Sequence, residues 1–362
     1  MTHDTSRRRL PRARQEHLLR EIELRGSIRA ADIAVQLGVT EVTVRRDIIE
    51  LEKAGRLARV HGGAISLSGK GAPVPARALV GLVLPGAVSH FPDVVRGAEA
   101  ASPALHARVV LAQSNYLVDT EERHLRRLVE LGVEGLILAP TLRGRSLDQL
   151  AAALQRLPVP TVLVERRLEQ SSLLAHYDQV RTEHARGAEI AVEHLAQLGH
   201  SSVGLAMLDR TPTAPAVREG YLRAQEDLGL SPAPVASLPK GDDDPEASDA
   251  ALKEFLDACL ASGTRAALIH TDAYASRLIE IAMDLGVRVP EDFSIVAYDD
   301  ENAELAIVPL TAVAPPGREL GRLAMTTLFE RLRGDSPDGL SPRHIGLVPR
   351  LTIRKSSGPP PE

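Results

Sequence analysis

From Ala78 onward, short apolar runs alternate with amphipathic helical stretches, and this alternation restricts the fold more than any other feature of the 362-residue chain. The runs are 78–85, 107–114, 135–140, 160–166, 201–208, 265–271 and 293–300. The helical stretches include 119–132, 184–199, 251–263 and 273–286, several of them closed by glycine. In the first of these, Asp119 and Glu122 stand in capping-box-like positions. Strands apolar on both faces must be covered on both faces, and helices linking them give parallel sheets, so the class is α/β with doubly wound sheets. Ligands of such sheets bind beyond the carboxyl ends of the strands. Those ends carry Ser89-His90-Phe91, Gln113-Ser114-Asn115, Asp272 with Tyr274, and Asp299-Asp300. Carboxylates that accept from hydroxyls, with rings to cover apolar faces, suit a sugar or polyol. Asp272 is also a natural helix cap, whereas Asp299-Asp300 precedes no helix-starting pattern and reads as a ligand contact or hinge.

Residues 1–66 differ in kind. They hold 13 Lys/Arg against 9 Asp/Glu, while the remainder holds 30 against 39, so a basic segment precedes an acidic body with an overall charge of −5. That asymmetry points to a polyanionic partner for the first segment alone, or to a solubilising basic tail at 7–14. All nine aromatic residues lie beyond residue 90, so the core of this segment is aliphatic. Helical patterns cover about 12–25, 30–37 and 41–55, with a glycine turn at Gly38 and Thr40 placed as the cap of the third. Helix, short turn, helix is a DNA-reading layout, in which the start of the second helix meets base edges. The residues there are Thr43, Arg45 and Arg46, and arginine suits guanine O6/N7. Two short strands around His61-Gly62-Gly63, carrying Arg59, form a wing suited to the phosphate backbone.

The segment 14–65, with TVRRD at 43–47, LEKAG and RVHGGA, resembles the DNA-binding domain of the DeoR-type repressors. The resemblance implies operator contacts from Thr40, Thr43, Arg45, Arg46, Arg59 and His61. The region 78–355 resembles the sensor domain of the LacI/GalR repressors, through LVELGVEGLILAP, VEHLAQLGHSSVGLAML, REGYLRAQEDLGL, GVRVPEDFSIVAYDD, PLTAVAPPGRELGRLAM and LVPRLTIRKSS. It implies two periplasmic-binding-protein-like lobes, crossed by the chain near 176–179, 308–315 and 340–347. It further implies a homodimer and a small-molecule effector in the cleft, held by His90, Phe91, Asp178, Arg218, Asp272 and Asp299. In that family an Arg stands three residues before the Gly-aromatic pair; here Val217 occupies that place before Gly220-Tyr221, and Arg218 is one position late. The Ser/Gly/Pro linker also replaces the family's hinge helix, so two regulator families are joined in one chain.

The expected organisation is a winged helix-turn-helix at 1–66, a linker at 67–77, and a sensor at 78–355, followed by a disordered tail at 356–362. The first lobe is expected at about 78–177 and 309–340, the second at about 178–308 and 341–355. The expected function is a DNA-binding transcriptional regulator, a repressor controlled by a carbohydrate effector; the alternative is a sugar-phosphate or nucleoside effector, and more remotely a sugar-processing enzyme. No nucleotide loop, HExxH or GxSxG motif is present, and no catalytic residue, metal or cofactor is expected. His184 and His194 share a helix but stand about 15 Å apart, too far to chelate one metal. No apolar run approaches the ~18–20 residues of a membrane span. A single cysteine, Cys259, and no secretory leader pattern suggest a cytoplasmic protein whose partners are double-stranded operator DNA, the effector and a second copy.

Overall fold

The computed structural model describes residues 11–25, 27–60, 63–65, 78–86, 91–168, 171–208, 210–241, 244–334 and 340–361. They form two compact units, divided between Arg77 and Ala78. His61, His90 and the linker at 67–77 lie outside the described residues.

The first unit runs α1 (Pro11–Arg25), β1 (Ser27–Arg29), α2 (Ala30–Leu37), α3 (Glu41–Lys53), β2 (Ala58–Val60) and β3 (Gly63–Ile65). Its core is aliphatic: Leu18, Ile22, Ile33, Val44, Ile48 and Leu51 pack with Leu57 and Ala64. Gly38, at φ 62°, closes α2 with its backbone N–H on Ala34 and Val35 carbonyls. The two wing strands are joined by a third, β1, absent from the sequence reading, and the order is β1-β3-β2, all antiparallel. Three residues are too few to show a period, so pairing alone defines β1. Gly63 permits that pairing, because a Cβ there would sit 1.9 Å from the Ile28 carbonyl oxygen.

The second unit holds two six-stranded sheets. The first, in order β14-β8-β7-β6-β4-β5, is all parallel. Its strands are β4 (Ala78–Leu84), β5 (Ala107–Gln113), β6 (Gly135–Leu138), β7 (Thr161–Val164), β8 (Asp178–Thr182) and β14 (His344–Leu347). Helices α4 (Phe91–Ala101), α5 (Val118–Glu130), α6 (Leu147–Gln155) and α11 (Gly317–Arg333) belong to it. The second sheet, in order β10-β9-β11-β12-β13-β15, contains β9 (Gly204–Met207), β10 (Val235–Ser237), β11 (Ala266–His270), β12 (Ser294–Tyr298), β13 (Thr311–Ala314) and β15 (Arg350–Thr352). Only β15 runs antiparallel in it. Helices α7 (His184–Gln197), α8 (Ala214–Asp227), α9 (Pro245–Ser262) and α10 (Asp272–Asp284) cover this sheet. Among the described residues no helix is long and apolar enough to cross a membrane.

Three expectations are corrected. The chain changes sheets at Glu183, at Pro315-Pro316 and at Val348-Pro349, so β8 and β14 belong to the first lobe and β13 to the second. The run DQVRT is too polar to read as a buried strand, yet Asp178–Val180 pair with Val162–Val164. The residues at 356–361 are not a disordered tail. Ser356 is fully buried, donates to the Ile295 carbonyl at 2.6 Å and accepts from the Thr311 N–H at 2.8 Å. Nor do Asp119 and Glu122 cap a helix, since α5 begins at Val118 without a side-chain cap.

Candidate nucleic-acid interface and effector cleft

In the first unit, α3 is held inward by Val44, Asp47, Ile48 and Leu51. Thr40 caps it, its Oγ1 accepting from the Thr43 N–H at 3.3 Å and lying 2.9 Å from the Thr43 hydroxyl. Arg45 and Arg46 are exposed, and Arg45 is steered along the helix by Glu41 at 2.5 Å. Arg59 on β2 approaches Glu52 at 3.6 Å, tying the wing to the carboxyl end of α3. Asp47, which sequence reasoning passed over, accepts twice from Arg14 of α1, at 2.8 and 2.9 Å, and fixes the recognition helix to its support. Burial works against the charge of Arg14, yet the two bonds to Asp47 are the larger influence and raise its pKa. The outcome is a rigid helix whose start presents Thr40, Thr43, Arg45 and Arg46 on an accessible face, the geometry that major-groove reading needs.

In the second unit, the carboxyl ends of the strands are marked by unusual backbone. Among the described residues six non-glycines have positive φ, and five of them stand there: Asn115 and Tyr116 after β5, Glu165 after β7, Asp299 and Asp300 after β12. Such conformations persist where the surroundings over-determine them, and they concentrate at ligand sites. Glu165 accepts from the Thr182 N–H at 3.1 Å and hydroxyl at 2.8 Å, and its carboxylate lies 3.5 Å from His184 Nε2. It thereby braces the point where the chain leaves the first lobe. On the far side Tyr298 stands between two histidine rings, 5.9 Å from His184 and 5.7 Å from His270, and its hydroxyl is 3.1 Å from His184 Nδ1. Burial raises the phenol pKa of Tyr298, keeping it neutral.

Across the cleft, Tyr116 and Arg166 of the first lobe come within electrostatic reach of each other, and Tyr116 within reach of Asp299 of the second. Burial is the main influence on both, raising the Tyr116 pKa and lowering that of Arg166. Arg166 donates to the Pro140 carbonyl at 2.8 Å and the Glu165 carbonyl at 2.6 Å, while its Nη2 meets no acceptor among the described residues. A phenol, a guanidinium and a carboxylate that follow strands at the carboxyl ends of the two sheets offer donors and acceptors to a polar ligand.

The expected effector contacts fare unequally. Asp299 directly follows β12 at the carboxyl end of its sheet, with φ 105°. Asp272 opens α10 at the same end of the sheet, but its oxygens accept the N–H groups of Asp300, Glu301 and Asn302 at 3.3, 2.7 and 3.1 Å. It therefore orients the Asp299 turn instead of facing a ligand. Burial is the leading influence on it and raises its pKa. Asp178 stands at the amino end of β8, the wrong end for the cleft, where it accepts from Arg331 at 2.5 and 2.9 Å and from the Arg343 N–H at 2.8 Å. Its assignment as an effector contact is corrected to an ion pair that closes the base of the first lobe. Phe91 is buried in the first-lobe core. Val217 faces the second-lobe core, leaving Arg218 half-buried on α8. Tyr116 and Arg166 were missed; the signal was their place directly after apolar runs, in QSNY and VLVER.

Residues 14–70 match the family model of a DeoR-like helix-turn-helix domain, and residues 192–357 that of a periplasmic binding protein-like domain. The chain is 30% identical over 349 residues to the HTH-type transcriptional regulator MalR of Streptomyces coelicolor, covering 92% of this chain and 97% of that relative. It is 27% identical over 336 residues to the arabinose metabolism transcriptional repressor of Geobacillus stearothermophilus, covering 90% of each. A LacI family regulator from Enterococcus faecium, solved with bound ribose, shares the fold with a TM-score of 0.62 and 23% identity, over 78% of this chain and 99% of that one. The chain belongs to the LacI-family transcriptional regulators, with a DeoR-like helix-turn-helix as its DNA-binding domain.

Proposed function

We propose that the chain is a homodimeric, cytoplasmic repressor without enzymatic activity that grips operator DNA through α3 and the wing and responds to a carbohydrate bound between the lobes of its sensor. The observation that carries this reading is the exposed cationic start of α3, with Thr40, Thr43, Arg45 and Arg46 on a helix anchored by the Asp47–Arg14 pair. Two such helices, one per copy, match a palindromic operator. For the effector, Tyr116, Asp299 and Arg166 supply the hydroxyl-directed polar groups of a sugar site, with Arg218 a further candidate and Asp272 acting through the Asp299 turn that it orients. The names of the relatives agree in class: arabinose metabolism for one, bound ribose for another. The Arg166 Nη2, without a partner among the described residues, favours a second reading, an effector carrying an acidic group such as a sugar phosphate.

Effector binding changes how the lobes meet and thereby the spacing of the DNA readers. Couplings of this kind amount to about 1–3 kcal/mol, roughly 5–150-fold in operator affinity. A gel shift with promoter fragments, titrated with sugars, sugar phosphates and nucleosides, tests the proposal. Arg45→Ala and Arg46→Ala are expected to abolish specific binding while sparing effector binding, and Asp299→Ala to do the reverse. Normal operator binding by both arginine variants would remove α3 as the reader.

A further inference from the structure

We infer that Val42 is a specificity-determining residue that reads the 5-methyl group of a thymine in each operator half-site. The inference rests on α3 being the DNA-contacting helix and adds to that reading a base identity. Val44, Asp47, Ile48 and Leu51 define the inward face of α3. At about 100° per residue, Val42, Arg46, Ile49 and Lys53 fall on the diametrically opposite line. Val42 is the first of these and is 76% exposed.

Isolated exposed valines are ordinary on protein surfaces. Position separates this one from the others. It stands in the first turn of the second helix of the motif, the turn that approaches base edges, one residue before Thr43 and one helical turn before Arg46. Val35 is more exposed still, at 84%, but lies on α2, the helix that crosses the backbone instead of entering the groove. In the major groove only thymine offers a methyl group; the other edges offer donors and acceptors that an isopropyl group would desolvate without replacing. The neighbouring Thr43 has its hydroxyl engaged by Thr40, and Arg45 is held to the flank by Glu41. Val42 is thus the apolar contact that the outward line of this helix aims at a base.

The test uses the full-length protein and duplexes it selects from a random library. Each thymine of the selected site is replaced by deoxyuridine, which removes the methyl group alone, and binding of the native protein and Val42→Ala is followed by fluorescence anisotropy. One thymine per half-site is expected to lose about four-fold in affinity on replacement, the worth of one buried methyl. Val42→Ala is expected to bind the thymine site more weakly and to make no distinction between thymine and deoxyuridine there. Its thermal unfolding should match the native protein, since the side chain is exposed. If every deoxyuridine penalty persists unchanged in Val42→Ala, or no thymine matters to the native protein, the inference is overturned. If Arg46→Ala loses binding while Val42→Ala behaves as native, only this inference falls. If Arg45→Ala and Arg46→Ala both bind as native, the reading of α3 falls and this inference with it.

Discussion

Three adjacent residues of the first unit, Arg45, Arg46 and Asp47, divide between surface and core because one helical turn spans both. The two arginines are exposed, whereas Asp47 is buried against Arg14. Asp47→Ala would leave that guanidinium without both acceptors. The pair sits at the edge of a small unit with water close by, so the expected cost is about 1.5–3 kcal/mol, below that of a wholly enclosed pair. Urea unfolding of the full chain, followed through its first transition, measures it. Gly63 is constrained by contact instead of charge. Gly63→Ala places a methyl group 1.9 Å from the Ile28 carbonyl oxygen. The strand pair β1–β3 is expected to separate, with operator binding lost and effector binding retained; a gel shift beside effector titration checks both halves. A sequence shows that Gly63 follows Gly62 in a hairpin, but not that a third strand lies against it.

Among the elements, α2, α3 and the wing were legible because glycine turns, an N-cap threonine and a clean apolar stripe coincide. The runs at β4–β7, β9, β11 and β12 were legible because each is mostly apolar, with polar residues such as Arg108, Gln113 and His270 confined to the ends. What escaped was β8, β10, β14 and β15, short strands with exposed or polar residues that exist by virtue of their neighbours, and β13, four buried residues set between prolines. The segment at 356–361 belongs with them. It is pinned by Ser294, Thr311, His194 and His200, residues far away in sequence: His200 Nε2 lies 3.0 Å from the Gly358 carbonyl and His194 Nε2 2.9 Å from the Ser357 hydroxyl. Burial, the largest influence on both, lowers both imidazole pKa values. A histidine with a depressed folded pKa favours the fold above its unfolded value, about 6.5, and this contribution is lost as pH falls below it. Hydrogen exchange at the amides of Ile295, Thr311 and Gly358 should therefore accelerate as pH drops from 7 to 5, after correction for intrinsic rates. The double variant His194→Asn, His200→Asn should flatten that dependence.

Across the whole sensor, the two lobes are joined by three crossings and by side chains that reach over the gap. Arg167 of the first lobe meets Glu219 of α8 in the second at 3.0 Å, both partly exposed. Exposed pairs of this kind contribute about 0.2–1 kcal/mol, so Glu219→Gln should weaken effector binding by up to about five-fold without affecting the fold. Calorimetric titration with the effector identified in the gel shift measures the change, and an unchanged affinity would show that the pair takes no part in closure. The same scale explains Asp272. Read alone, an aspartate before a helix is a cap or a ligand contact. In the assembled lobe its carboxylate gathers three N–H groups from the turn after β12 and sets the direction of Asp299.

Periodicity and punctuation, which are properties of neighbouring residues, were enough for a helix-turn-helix unit ahead of doubly wound sheets, and the resemblance to two repressor families added the expected DNA-reading helix and the expected effector site. Which of the polar side chains at those strand ends are already engaged within the protein was decided by tertiary structure, through pairings between residues distant in sequence. Asp178 was withdrawn to the base of the first lobe by Arg331, 153 residues away. Asp272 was claimed by backbone N–H groups 28–30 residues on, while Tyr116 was brought within electrostatic reach of both Arg166 and Asp299. A buried charge must find its partner wherever the fold places one, and sequence spacing carries no record of that search.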